Sequence, residues 1–246
     1  MGHGMRNVMT FFIMPKYSHI LIDLDRTLWD FERNSLQTMR EMFAEFGLQK
    51  LCRADFQMFL DTYHVINSQL WKAYINGTLA KEVLYVSRFS LTLDHFRVEN
   101  TYALGKRLGD YYVFESPKKT ALIDGASDLL RYLKGKGYSL SIVSNGFKEV
   151  QREKMRTSGI DIYFDRVFLS EDIGFQKPDR RIFDHILAAL SAQPAQCLMI
   201  GDDINIDIAG ARKLGIDQVF CNFTNAKPDF EPTYTVGTLA DIKSIL

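Results

Sequence analysis

The strongest constraint on the fold is an alternation, from about residue 120 onward, of short, nearly continuous apolar runs with longer amphipathic ones. The runs are HILIDL (His19–Leu24, ahead of the alternation), SLSIVS (Ser139–Ser144), RVFLS (Arg166–Ser170), CLMIG (Cys197–Gly201) and QVFCN (Gln218–Asn222). A strand with one wet face would alternate apolar with polar residues, so continuous runs point to parallel strands covered on both faces. The segments between them read as helices: Gly125–Gly137, with Leu129, Leu130 and Leu133 on one face and a terminal glycine stop, then Phe147–Gly159, Asp179–Leu190 and Asn205–Gly215. The expected fold class is α/β, a doubly wound, Rossmann-like parallel sheet.

More than a hundred residues separate the first strand from the second, too many for one crossover. Most of residues 32–114 has helical apolar spacing, with Phe56, Phe59, Leu60, Tyr63 and Leu70 forming a stripe in one segment. The expectation is an inserted all-helical unit of about four helices, residues 31–114, on a core made of 15–30 and 115–246. Residues 1–14 read as a flexible leader with Met14 as a functional start. The apolar stretch Val8–Met14 is too short to span a bilayer.

Thirty basic and thirty acidic residues cancel, so no global field draws this chain to nucleic acid or an anionic membrane. Cys52, Cys197 and Cys221 are odd in number and lack CxxC spacing, which argues against a disulfide framework or a zinc site and for a cytoplasmic setting. The expected partner is a small molecule rather than nucleic acid or membrane, and the expected assembly a monomer or homodimer.

In an open α/β sheet ligands bind outside the carboxyl ends of the strands. The polar residues cluster there: Asp23-Leu24-Asp25-Arg26-Thr27 after the first run, Ser144-Asn145-Gly146 after the second, Lys177-Pro178 beyond the third, and Gly201-Asp202-Asp203 with Asp207 after the fourth. Each alone has an ordinary explanation as a helix cap, a turn or a solvated lysine. Their conjunction at four consecutive strand ends does not. Asp23, Asp202 and Asp207 gathered at one edge would repel one another, and a hard divalent cation with oxygen ligands relieves that repulsion.

The set DLDRT, SNG, KPD and GDDINID resembles the four motifs of the haloacid dehalogenase-like (HAD) hydrolase superfamily, and the helical insertion is similar to its C1-type cap. The likeness runs over residues 17–246 and is nearest to the phosphatase branch of YjjG-like pyrimidine nucleotidases and phosphoglycolate phosphatase-like enzymes. It implies Mg²⁺ held by the Asp23 carboxylate, the Asp25 backbone carbonyl and Asp202, with Asp207 orienting metal waters or Lys177. It implies Asp23 as a nucleophile forming an aspartyl-phosphate, Asp25 as acid and base, Ser144, Asn145 and Gly146 around the phosphoryl oxygens, Lys177 offsetting negative charge, and Thr27 holding the loop. The substrate implied is a small phosphate ester, a nucleoside 5′-monophosphate first. The alternatives are a β-phosphoglucomutase-like phosphomutase and a binding protein that has lost turnover.

Arg26 departs from the glycine common in the DxDGT form and reads as solvated. In the insertion, Tyr63, Trp71, Tyr74 and Phe89 fit packing or stacking on a base. His64 and His95 read as structural or solvated, and Arg88 as a surface arginine ahead of the alternative that it reaches a second anionic group of the substrate. Trp29, Asp30 and Phe31 stand where core passes into insertion, at a plausible hinge.

Overall fold

The computed structural model describes residues 16–246, so the leader expected at 1–14 lies outside the described residues. Six strands form one parallel sheet: β1 (His19–Ile22), β2 (Ser139–Ser144), β3 (Arg166–Leu169), β4 (Cys197–Gly201), β5 (Asp217–Cys221) and β6 (Tyr234–Val236). Their spatial order is β3-β2-β1-β4-β5-β6. The chain therefore grows outward in both directions from β1, and the switch in direction falls between β1 and β4. Register is direct, with Ile22 of β1 level with Ile142 of β2 and Ile200 of β4.

Alternate strand residues feed opposite faces, as the pleat requires. Ile20, Ile22, Leu140, Ile142, Leu198 and Ile200 pack against α6 (Ala126–Gly135), whose Leu129, Leu130 and Leu133 are all buried. On the other face Leu21, Val143 and Met199 meet Ile182, Phe183 and Ile186 of α9 (Arg180–Leu190). The remaining core helices are α7 (Lys148–Thr157) and two one-turn pieces, α8 (Ser170–Ile173) and α10 (Ala209–Arg212).

Five helices intervene between β1 and β2: α1 (Phe31–Glu45), α2 (Leu48–Cys52), α3 (Phe56–Ile75), α4 (Lys81–His95) and α5 (Thr101–Glu115). They enclose a hydrophobic cluster of their own, with Met39, Met42, Phe59, Tyr63, Phe89, Leu93 and Leu108 at its centre. α1 is started by Asp30, whose side chain accepts the Arg33 amide at 3.0 Å, and α3 by Asp55, which accepts the Met58 amide at 2.9 Å. The two chain crossings between insertion and core are tied together, because Asn34 both donates to the Ala121 carbonyl (2.8 Å) and accepts its amide (3.1 Å).

Three expectations need correction. β6 was not expected, since a three-residue strand following the turn-rich AKPDFEPT carries too little apolar pattern. The helix expected at 205–215 begins instead as a π-helical turn, Ile204–Ile208, capped by Asp203 accepting the Asn205 and Ile206 amides at 2.9 and 3.0 Å. Arg88 is not on the surface: it is 3% exposed inside the insertion. Among the described residues no helix is long and apolar enough to cross a membrane.

Candidate active site

The carboxyl ends of β1, β2 and β4 converge on a cavity of about 720 Å³ between sheet and insertion. Asp23 continues the ladder past β1, its amide donating to the Ile200 carbonyl at 2.9 Å, so its side chain leaves the sheet at the switch point. It is nearly buried. Lys177 Nζ donates to Asp23 Oδ1 at 2.6 Å and to the Val143 carbonyl at 2.6 Å. The same ammonium lies 2.7 Å from Asp207 Oδ1, an ionic contact without the alignment of a hydrogen bond. Thr27 Oγ1 donates at 3.3 Å toward both Asp23 Oδ2 and Asp202 Oδ1.

One carboxylate oxygen each from Asp23, Asp202 and Asp207 fall within 4.8 Å of one another. The π-helical turn returns Asp207 beneath Asp202, and Gly201 makes the room, since a Cβ there would run into the Asp207 carboxylate. Burial, with Lys177 opposing and Asp207 adding to it, pushes Asp23 up to about 7. Burial and then the charge of Asp23 push Asp202 up to about 8, and Asp207 is raised by burial as well. Burial alone would lower Lys177, but Asp207 and Asp23 outweigh it and hold the ammonium raised and charged. Three acids against one lysine leave the edge short of positive charge. The donors are all hard oxygens, so the set fits a divalent cation of the magnesium kind, with Asp23 and Asp202 able to hold it.

Asn145 is brought here too, and its side chain has a task of its own beside the one expected of its amide. Its Nδ2 donates to the Lys177 carbonyl (2.8 Å) and its Oδ1 accepts the Lys177 amide (2.9 Å), a clip that fixes the lysine between strands. Ser144 Oγ accepts from the Gly146 amide at 3.2 Å, which curls the loop over the end of β2. Asp25 is turned from Asp23 toward two residues that the sequence reading missed: Gln151 Nε2 donates to its Oδ2 at 2.7 Å and Lys154 Nζ to its Oδ1 at 2.6 Å. Gln151 also donates to Ser144 Oγ at 2.6 Å, and it is wholly buried. Lys154 lies 4.2 Å above the Trp29 ring, and burial pulls it below its usual value even with Asp25 beside it. Both sit on α7 in the string QREK, whose only local signature is that of a solvated helix face.

Arg26 adopts φ 64°, the left-handed conformation that glycine takes without strain, while its exposed side chain spans Glu32 (2.8 Å) and the Phe31 ring (4.1 Å). Tyr63, Trp71 and Arg88 of the insertion line the cavity's far end, whereas Tyr74 and Phe89 pack. His64 and His95 are exposed.

A family model for haloacid dehalogenase-like hydrolases matches residues 17–215. The chain belongs to this family. It is thus an enzyme of the HAD hydrolases, built on their α/β fold. It is 32% identical over 235 residues to the pyrimidine 5′-nucleotidase PynA of Streptococcus pneumoniae, covering 94% of this chain and 95% of that one. Over 234 residues it is 29% identical to the pyrimidine 5′-nucleotidase YjjG of Escherichia coli, covering 94% and 98%. The HAD-hydrolase YfnB of Bacillus subtilis, solved bound to magnesium and showing interdomain movement, superposes with a TM-score of 0.83 at 29% identity, over 94% of this chain and 99% of that one.

Proposed function

We propose that this HAD hydrolase is a magnesium-dependent phosphatase of small phosphate monoesters, with pyrimidine nucleoside 5′-monophosphates as its first substrates. The observation that carries the reading is Asp23: a nearly buried carboxylate at the switch point, paired with Lys177, ringed by Asp202 and Asp207, and open to a cavity large enough for a nucleotide. Two relatives that align over 94% of the chain are pyrimidine 5′-nucleotidases, which supports the choice of leaving group.

Phosphoryl transfer requires an in-line nucleophile, charge neutralisation and a proton for the leaving oxygen. In this reading an Asp23 oxygen forms a bond to phosphorus while the bond to the leaving oxygen breaks, and Asp25 delivers a proton to that oxygen. Water then attacks the aspartyl-phosphate, giving its proton to Asp25 and releasing inorganic phosphate and free Asp23. Lys177 holds a fixed positive charge against Asp23 throughout, and Ser144 with the Asn145 and Gly146 amides receives phosphoryl oxygens. Asp23, the Asp25 carbonyl and Asp202 would hold Mg²⁺, which supplies charge neutralisation on the phosphoryl oxygens. Asp207 fixes Lys177 from behind, and residues 31–114 act as the lid that excludes water.

The test is phosphate release from a panel of nucleotides, sugar phosphates and phosphoglycolate with Mg²⁺, for the wild type and Asp23→Asn. Pyrimidine 5′-monophosphates should give the highest kcat/KM, and Asp23→Asn should abolish release. Appreciable turnover by Asp23→Asn, or isomerised sugar phosphate in place of free phosphate, overturns the reading.

A further inference from the structure

Arg88 stands near the middle of α4, 3% exposed, with its side chain on the wall of the cavity that also contains Asp23. Its Nε and Nη2 have no hydrogen-bond partner among the described residues. The guanidinium lies instead against two ring faces, 5.0 Å from the Phe89 centroid and 4.8 Å from that of Tyr112. Cation–π contacts of this kind stabilise a desolvated guanidinium by less than the cost of burying its charge unpaired. The rings therefore compensate part of the charge and leave these two nitrogens unpartnered.

The two idle donors are neighbours on one edge of a rigid plane. Such a fork matches two acceptors side by side in a plane, a geometry that a lysine cannot reproduce. The fork is contributed by the insertion, whereas Asp23 comes from the strand ends that line the same cavity. Tyr112, one of the two rings beneath the guanidinium, is itself fixed by donating to Ser35 at 2.8 Å, so the wall that carries Arg88 is held in place. Around it the wall is aromatic: Tyr63 stacks on Phe89 at 5.1 Å, and Trp71 stacks on Phe147 at 5.3 Å.

We propose that Arg88 is the specificity-determining residue of this site, receiving edge-on a planar pair of acceptor atoms on the leaving group. The proposal rests on the phosphatase reading above. Two kinds of leaving group present that chemistry, a base edge with adjacent ring nitrogen and carbonyl acceptors, as in cytosine, and a carboxylate. Ribose 5-phosphate, which is cytidine monophosphate without its base, presents neither.

The experiment compares kcat and KM of the wild type, Arg88→Met and Arg88→Lys on cytidine 5′-monophosphate, phosphoglycolate and ribose 5-phosphate with Mg²⁺. The wild type should prefer one of the first two over ribose 5-phosphate, and which one names the source of the acceptor pair. Arg88→Met should shrink that preference at least 30-fold, mostly through KM, and Arg88→Lys should recover little of it because it keeps the charge without the fork. Equal losses on all three substrates in both variants would make Arg88 a packing residue and overturn the proposal. Calorimetric binding of the same three compounds to Asp23→Asn, with and without Arg88→Met, reads the contact in the absence of turnover. A wild type that releases no phosphate sinks the phosphatase reading, while in the binding arm an unchanged affinity sinks the assignment of Arg88.

Discussion

At the scale of single residues the site is an exercise in unequal pairing. Lys177 faces two carboxylates, Asp23 at 2.6 Å and Asp207 at 2.7 Å, whereas Lys154 pairs with Asp25 alone among the described residues. Removing Asp23 leaves Lys177 partnered and relieves repulsion within the acid cluster; removing Asp25 strands a buried ammonium. Breaking a buried pair costs about 3–5 kcal/mol, and the partial exposure of Asp25 discounts this to about 1–3. Asp25→Asn should therefore lower Tm by roughly 2–12 °C, Asp23→Asn should not lower it, and Asp25→Asn with Lys154→Met should recover most of the loss. Differential scanning calorimetry checks all three, and a destabilised Asp23→Asn would contradict the pairing scheme.

The raised acids carry a pH signature. Asp23 at about 7 and Asp202 at about 8 bind protons more tightly folded than unfolded, where both lie near 3.8. The stability those protons lend is greatest below the unfolded value and is gone above about 8, so metal-free protein should lose stability between pH 4 and 8.5. If the cluster holds Mg²⁺ as proposed, the cation takes over from those protons as the source of positive charge. Its stabilisation, read as the Tm difference between Mg²⁺ and EDTA, should be larger at pH 8.5 than at pH 5.5 and should shrink in Asp202→Asn. A difference that does not grow with pH contradicts the assignment of the cluster as a cation site.

At the scale of elements, close packing is set by small residues at helix contacts. α5 lies so near α4 that a Cβ added at Gly105 would stand 2.7 Å from the Ser90 amide nitrogen, which is backbone and cannot swing away. Gly135, at the exposed end of α6, has nothing within 4 Å of the same addition. Gly105→Ala should therefore cost about 1–3 kcal/mol by overpacking, while Gly135→Ala should gain up to about 1 kcal/mol of helix propensity. Urea denaturation of the two variants separates the effects, and a neutral Gly105→Ala would show that the α4–α5 contact yields. The same scale explains what the sequence discloses. Asp23, Lys177, Asp202 and Asp207 are legible because a parallel strand announces its own end and the fold dictates that ligands gather there. Gln151, Lys154 and Arg88 are not, because a helix hides which of its faces meets a neighbour when that face is polar. QREK reads as solvated and Arg88 as a surface residue until tertiary contact buries them. β6 escapes for the opposite reason, having pattern too short to register.

Over the whole molecule the question is what holds the helical insertion against the core. Beyond the chain crossings, where Asn34 holds Ala121 and Glu41 pairs with Lys119, the contact runs through two features that meet at the loop carrying Ser144. Trp71 and Tyr74 of α3 pack on Phe147, the residue that follows Gly146. Lys81, at the start of α4, reaches Glu149 of α7 and Glu171 of α8, each at 2.9 Å, and stands 4.6 Å from the same Phe147 ring. The insertion thus bears on the Ser144–Gly146 loop, which the proposed function places at the phosphate. Half-exposed ion pairs are worth about 0.2–1 kcal/mol each and weaken with salt, so the clamp can bias closure without locking it. Lys81→Ala should raise KM two- to fivefold with little change in kcat, and raising salt from 0.05 to 0.5 M should reproduce that rise in the wild type while leaving the variant nearly indifferent. Small-angle scattering of the ligand-free proteins should give a larger radius of gyration for the variant. If Lys81→Ala left KM, its salt dependence and the radius unaltered, closure would rest on the Phe147 aromatic contact alone, and Trp71 would become the residue whose truncation opens the site.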